Sequence, residues 1–449
     1  MPFIRSISGL RATLGDGLIP SLLASYATAF ARILPGSKVV IGRDGRPSGK
    51  WIENVIAGAL TAAGCEVRLI GIAPTPTVQL EVEFSDAVGG IAITASHNPG
   101  EWNGLKFINQ DGVFLDADEN EKLWNILDNN LMKLHVNGYF YEVLHDHEAI
   151  HRHLKRVLDL KVVKENFNKI KKRRYKVVVD AVNSSGSYVV PELLRHFGCE
   201  VIDIFCDGSG LFPHNPEPLP VNLKELAQTV KAVKADLGIA VDPDADRLVM
   251  IDENGNPIGE EKTIALSVES VISSLAKPGN VVVNLSTSSM TEYVANNYGF
   301  KTFRSPVGEI NVVKLMKEVG AVIGGEGSGG VIYPECHYGR DSLVGIALTL
   351  NLLAKKDKSL SQLADDLPKL NMIKLKKPYT GNLNKLFNEI SEKYSENKIT
   401  RTDGIRIDFD DKWVQLRASN TEHIVRAIAE AKDQDTAQKL ANSILNMVE

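Results

Sequence analysis

The sequence predicts an α/β protein: three similar α/β domains with mixed, mostly parallel sheets, followed by a smaller C-terminal α+β domain. Three observations carry that reading. A strand, helix, strand unit occurs three times along the chain. Each copy reaches one further apolar strand that runs into an irregular loop, and after Lys358 the pattern gives way to an antiparallel one. At 449 residues the chain exceeds what one core can serve, and the predicted domains are 1–148, 149–253, 254–366 and 367–449.

In the first copy Lys38-Val39-Val40-Ile41 is a strand running into the polar turn Gly42-Arg43-Asp44-Gly45-Arg46. An amphipathic helix from Trp51 to Ala63 follows, and then the strand Gly64 to Ile70. The second copy has a strand at Tyr175 to Asn183, a helix at Tyr188 to Phe197 and a strand at Gly198 to Ile204. Its Gly198-Cys199-Glu200-Val201 repeats Gly64-Cys65-Glu66-Val67. The third, fainter copy uses Asn280 to Asn284, Thr291 to Tyr298 and Gly299 to Phe303. Right-handed crossovers then make the strands largely parallel. In the last segment Ile373 to Tyr379 reads as a strand and Leu383 to Tyr394 as a helix. Gly404 to Phe409 with Lys412 to Arg417 reads as a hairpin, and a strand and a final helix complete the chain.

Gly90-Ile91-Ala92-Ile93, Gly238-Ile239-Ala240-Val241 and Gly320-Ala321-Val322-Ile323 are the apolar strands that enter the unusual loops. Ligands in open parallel sheets bind beyond the carboxyl ends of the strands, so three equivalent ends aim three loops at one shared cleft. In the first loop, Thr94-Ala95-Ser96-His97-Asn98-Pro99, a hydroxyl on an irregular turn with free N–H groups makes Ser96 a candidate for handling phosphate. Arg11, just after the Gly9 turn, offers a guanidinium to the same kind of anion.

The second loop, Asp242-Pro243-Asp244-Ala245-Asp246-Arg247, alternates three carboxylates that can converge on one hard cation, with Mg²⁺ favoured. An EF-hand is ruled out because Arg247 stands where its glycine is required and apolar strands flank the loop. A phosphatase-type aspartate nucleophile lacks its threonine, Asp246 standing there instead. The third loop, Gly324 to Gly330, is neither a Walker motif nor a dinucleotide fingerprint. Its glycines admit a ligand closely, and Glu326 and Ser328 suit sugar hydroxyls. The fourth, Arg417-Ala418-Ser419-Asn420-Thr421-Glu422 with Arg426 beyond, offers hydroxyls, amides and guanidinium groups to a phosphate.

Composition narrows the partners. Lys and Arg total 51 against 56 Asp and Glu, a formal charge of -5, which favours neither nucleic acid nor an anionic membrane. No apolar run approaches the roughly 20 residues that span a bilayer, and Met1 to Ser6 lacks a secretory apolar region, so the expected location is cytoplasmic. Cys65, Cys199, Cys206 and Cys336 lie far apart without a C-x-x-C pair. They read as reduced thiols, with neither zinc nor disulfides expected.

Taken together, the four motifs resemble those of the α-D-phosphohexomutases, over essentially the whole chain. The resemblance implies four domains around a central cleft, a phosphorylated Ser96, and one Mg²⁺ held by that group with Asp242, Asp244 and Asp246. It implies sugar contacts from Glu326 and Ser328 and a substrate-phosphate site at Arg417, Ser419, Asn420, Thr421 and Arg426. Lys106 looks like the family's proton-transfer lysine, Arg247 the arginine beside the metal loop and Arg11 the one near the phosphoserine, with His97 completing the catalytic group. The implied reaction interconverts hexose 6-phosphate and hexose 1-phosphate through a hexose 1,6-bisphosphate, in a monomer or homodimer. Glucosamine phosphate is the preferred substrate and mannose or glucose phosphate the alternative. Gly330 stands where many members carry His, so His337 or the Arg340-Asp341 pair is expected to substitute. A Mg²⁺-dependent sugar phosphatase and a non-catalytic sugar-phosphate binding protein are the rival readings.

Overall fold

The computed structural model describes residues 3–132, 141–418 and 424–448. Four sheets follow one another along the chain. The first has the order Phe3–Ser6, Gly9–Thr13, Trp102–Ile108, Gly89–Ile93, Lys38–Arg43, Glu66–Ile72, Val143–His145. Lys38–Arg43 pairs in parallel with Gly89–Ile93 and Glu66–Ile72, and Glu66–Ile72 in parallel with Val143–His145. The other three pairings are antiparallel, so this sheet is evenly mixed. Its two-sided burial follows from strand alternation. Val39 and Ile41 pack with Phe30, Ile52 and Ile56 on one face, and Val40 packs with Val78 and Ala92 on the other.

The second sheet, Leu248–Asp252, Leu237–Val241, Lys176–Asp180, Glu200–Ile204, is parallel except for its first pair. The third, Lys301–Ser305, Asn280–Asn284, Ala321–Glu326, Gly330–Ile332, is parallel except for its last. Val177, Val179, Ile239 and Val241 of the second sheet and Val281, Val283 and Ile323 of the third join one continuous core. Between those sheets lie the helices Glu260–Ile272 and Ser342–Lys356, buried on nearly every side. Ser342–Lys356 is apolar all round for that reason.

The fourth sheet is wholly antiparallel, in the order Asn371–Pro378, Ile424–Ala431, Trp413–Ala418, Ile405–Asp408, Lys398–Thr400. Helices Leu383–Lys393 and Gln434–Leu445 contribute Leu386, Ile390, Ala441 and Ile444 to its core. The three α/β units and the C-terminal α+β unit are thus as the sequence predicts, except that the first sheet is evenly mixed rather than mostly parallel.

The glycine loop departs from expectation. Gly324, Gly325 and Glu326 continue the strand and Gly330 opens the next one, leaving only 327–329 as the turn. Glycines are strand residues here because a neighbour lies against each: a Cβ on Gly324 would fall 2.5 Å from the Val282 carbonyl oxygen. Lys106 is buried. It sits on the central strand Trp102–Ile108 and is 2% exposed.

Candidate active site

The loop bearing Ser96 leaves Gly89–Ile93 and is fixed from below. Ser96 occupies the left-handed region at φ 51°, an unfavourable conformation for a residue with a Cβ that recurs where function demands it. The turn is held by the Ser96 amide, which donates to Thr94 Oγ1 at 2.8 Å, and by Arg46, which donates to the Ser96 and Asn98 carbonyls at 2.7 and 2.5 Å. Arg46 is fully buried and pairs with Asp44, which also accepts from Thr94 Oγ1 at 2.6 Å. Asp44 and Arg46 lay in the sequence as a polar turn without a role. Their burial under Ser96 makes them positioning residues.

The aspartate loop leaves Leu237–Val241 and is laced to every neighbouring unit. Ser184 and Ser185 donate to the Pro243 carbonyl at 2.6 and 2.8 Å, Thr75 to Asp244 Oδ2 at 2.6 Å, and Ser342 to the Ala245 carbonyl at 2.7 Å. Asp242, Asp244 and Asp246 are buried, with one oxygen of each within 4.8 Å of the others. Oδ1 of Asp244 and Oδ1 of Asp246 have no hydrogen-bond partner among the described residues. Buried carboxylate oxygens left over in a cluster of three fit a hard divalent cation.

The first and second loops meet. Ser96 Oγ donates to Asp242 Oδ2 at 3.1 Å and lies 3.3 Å from His97 Nδ1. Lys106 Nζ reaches Asp244 Oδ2 at 2.6 Å and Asp246 Oδ2 at 3.2 Å. Burial favours the neutral amine, but Asp244 and Asp246 outweigh it and raise the Lys106 pKa. Asp242 is pushed well above the usual carboxylate range by burial and by the neighbouring Asp246 and Asp244. Asp246 is also opposed by burial, yet Arg340, Lys106 and Arg247 hold it far below that range. Burial, with the charges of Arg247 and Arg11, lowers His97 well below an ordinary imidazole and keeps it neutral. Arg11 donates to Asn98 at 3.0 Å, and the Arg247 Nε lies 4.0 and 3.8 Å from Asp242 and Asp246.

A cavity of about 350 Å³ opens beside these groups, and Arg11, His97, Lys106 and Arg247 line it. So do Glu326, Ser328, Arg417 and Arg426, from the third and fourth units. Glu326 accepts from Asn284 at 2.8 Å, the Gly308 amide at 3.1 Å and Arg340 at 2.7 Å. Arg417 donates to Asp403 at 3.3 Å and stands directly across from Arg426 in the sheet. Like charges opposite one another oppose folding of the sheet and favour an anion between them. Ser419, Asn420 and Thr421 lie outside the described residues.

Of the two candidates for the role of the histidine absent at Gly330, Arg340 faces the cavity. It binds Asp246 at 2.7 Å, Glu326 at 2.7 Å and Glu309 at 2.9 Å, joining the aspartate loop to the glycine turn. A Cβ at residue 330 would lie 2.3 Å from Arg340 Cδ, so the glycine is what admits the arginine. His337 turns away and rests 3.2 Å from Asp341 Oδ2. Glu261 and Glu309 are cavity residues that sequence reasoning missed, since lone acids at helix starts carry no distinguishing pattern.

Four domain descriptions of one family match in order: phosphoglucomutase/phosphomannomutase alpha/beta/alpha domains I, II and III at residues 4–133, 152–255 and 260–370, and its C-terminal domain at 371–447. The chain belongs to the phosphoglucomutase/phosphomannomutase family. It is therefore a phosphohexomutase, an isomerase that relocates a phosphoryl group on a hexose phosphate. A phosphoglucomutase/phosphomannomutase of Thermococcus kodakarensis is 36% identical, over 98% of this chain and 97% of that one. A probable phosphoglucosamine mutase of Methanopyrus kandleri is 34% identical, over 98% and 96%. Among solved structures, a phosphoglucomutase/phosphomannomutase family protein of Burkholderia thailandensis superposes with a TM-score of 0.85 at 25% identity, covering 98% of this chain and 95% of that one. The N-acetylphosphoglucosamine mutase of Aspergillus fumigatus, solved with GlcNAc-6P and magnesium, shares the fold at a TM-score of 0.60 and 15% identity, over 100% and 95%. No helix among the described residues is long and apolar enough to cross a membrane.

Proposed function

We propose that this phosphohexomutase interconverts glucosamine 6-phosphate and glucosamine 1-phosphate through a phosphorylated Ser96 and a hexose 1,6-bisphosphate, with Mg²⁺ as its cation. The observation that carries the reading is the 3.1 Å approach of Ser96 Oγ to Asp242, beside a cavity whose walls also bear Glu326, Arg417 and Arg426. Asp242, Asp244 and Asp246, with the serine phosphoryl group, would hold Mg²⁺, which would supply positive charge to offset the negative charge building on the transferring group.

The residues of the chain do the rest. Lys106, kept protonated by Asp244 and Asp246, supplies a proton to the serine oxygen as it is released, and the proton given up by the attacking sugar hydroxyl restores it. Arg247 and Arg11 add positive charge where phosphoryl oxygens gather, and neutral His97 leaves the serine oxygen free of a competing cation. Glu326 and Ser328 orient the sugar hydroxyls. Arg417 and Arg426, with Ser419, Asn420 and Thr421, hold whichever phosphate is not reacting, so the bisphosphate can present either end. Domain closure over it keeps water out.

Glucosamine is preferred because phosphoglucosamine mutase is the commonest name among the similar proteins. The Glu261 and Glu326 carboxylates at the cavity also suit a ligand that carries an amine. Glucose or mannose phosphate is the second reading, favoured by the Thermococcus protein. Comparing kcat/KM for the three sugar 1-phosphates, with 1,6-bisphosphate present, separates them: glucosamine 1-phosphate should lead by about 10-fold or more. A lead for glucose or mannose phosphate overturns the preference. Release of inorganic phosphate with an unphosphorylated Ser96 overturns the mutase chemistry assigned to this site.

A further inference from the structure

Away from the active site, four side chains able to ligate a metal converge under the loop that carries Arg340. His153 comes from the helix Ala149–Asp159, and Cys336, His337 and Asp341 come from the segment before Ser342–Lys356. All four are at most 1% exposed. One ligand atom each of His153, Cys336 and Asp341 lies within 4.8 Å of the other two. Asp341 Oδ2 is 2.8 Å from His153 Nε2 and 3.2 Å from His337 Nε2. The imidazole planes stand 81° apart with centroids at 6.3 Å.

We propose that His153, Cys336, His337 and Asp341 form a structural zinc site at the junction of the first three domains. A thiolate, a carboxylate and two neutral imidazoles are a four-ligand set suited to zinc, and their two negative charges balance the ion where solvent does not reach. Zn–N bonds of about 2.0 Å and Zn–S bonds of about 2.3 Å set tetrahedral ligand separations of about 3.3–3.8 Å. Asp341 therefore needs to withdraw from the imidazoles by less than about 1 Å, while Cys336 and His337, the latter outside the group of three that lies within 4.8 Å, need to close in. The surroundings suit such a site. His153 Nδ1 is 2.9 Å from Thr77 Oγ1, the contact that fixes the tautomer of a ligating histidine. Asp341 Oδ1 is engaged by the Leu343 amide at 2.8 Å, which reserves Oδ2 for the ion. A cavity of about 510 Å³ borders the helix that carries His153, whose side chain is itself fully buried. Cysteine spacing hides the site because a single thiol is joined by ligands from two separate segments. On binding, the Cys336 thiol loses its proton to solvent, and each imidazole presents Nε2 while carrying its proton on Nδ1.

The test uses the full chain stripped by chelator and titrated with Co²⁺ in excess Mg²⁺, which occupies the aspartate cluster. The expected result is a thiolate-to-cobalt charge-transfer band with tetrahedral visible bands, saturating at one ion per chain. Cys336→Ser should lose that band and weaken Zn²⁺ retention at least about 100-fold, while Cys206→Ser keeps both. X-ray absorption of the zinc-loaded wild type, expected to show one sulfur at about 2.3 Å, decides the question if Cys336→Ser does not fold. Absence of a thiolate band in the wild type, its survival in Cys336→Ser, or an all-oxygen and nitrogen shell by absorption overturns the site.

Discussion

Ser96 shows how much one residue depends on its support. Its hydroxyl points at Asp242 only because the backbone is held at φ 51° by Arg46 and Thr94. Ser96→Ala is expected to lower kcat/KM by about 10³-fold or more in a coupled mutase assay, and to remove the phosphoryl group from that peptide in mass spectra. Glu261 gives a second residue-scale prediction. Burial raises its pKa from 4.5 to about 7, so the folded protein holds that proton more tightly than the unfolded chain. The stabilisation from this group is complete below pH 4.5 and is lost as pH rises through about 7. Glu261→Gln should flatten that loss, an effect of the order of 3 kcal/mol. Thermal unfolding of both proteins from pH 4.5 to 8 checks it: the variant's stability relative to wild type should rise across the window.

At the scale of elements, the turn 327–329 is where the third unit docks on the second. Gly329 has φ 86°, its carbonyl accepts from the Leu248 amide at 3.0 Å, and a Cβ there would lie 2.4 Å from the Leu248 carbonyl oxygen. Both the left-handed backbone and the contact exclude a side chain. Gly329→Ala is expected to destabilise by about 1–3 kcal/mol. Because the turn carries Ser328, the same variant should raise KM for the sugar phosphate more than it lowers kcat. Denaturant titration and steady-state kinetics measure the two effects.

Across the whole molecule, the cavity takes walls from all four units, and the last supplies Arg417 and Arg426. Guanidinium contacts to a phosphate contribute about 1.5–3 kcal/mol each. Arg417→Ala should therefore raise KM for hexose phosphate by about 10- to 100-fold while Ser96 remains phosphorylated, a split that kinetics and mass spectrometry read together. The junction around His153 and Asp341 belongs to this scale as well, since it ties the second unit to the loop that places Arg340.

The repeated strand, helix, strand units, the three apolar strands ending in loops and the antiparallel tail were legible in the amino-acid order, because period and punctuation are local properties. The Ser96, aspartate, Glu326 and Arg417 loops were legible for the same reason: each is contiguous and unusual in composition. Burial of Lys106 between Asp244 and Asp246 could not be read, since a lone lysine on a strand looks the same whether solvent or a carboxylate pair awaits it. Nor could the bridging role of Arg340 or the meeting of His153 with Cys336 and Asp341, whose members come from different units. Those pairings are set by how the units pack against one another, and only the packed tertiary structure brings such distant charges within bonding range.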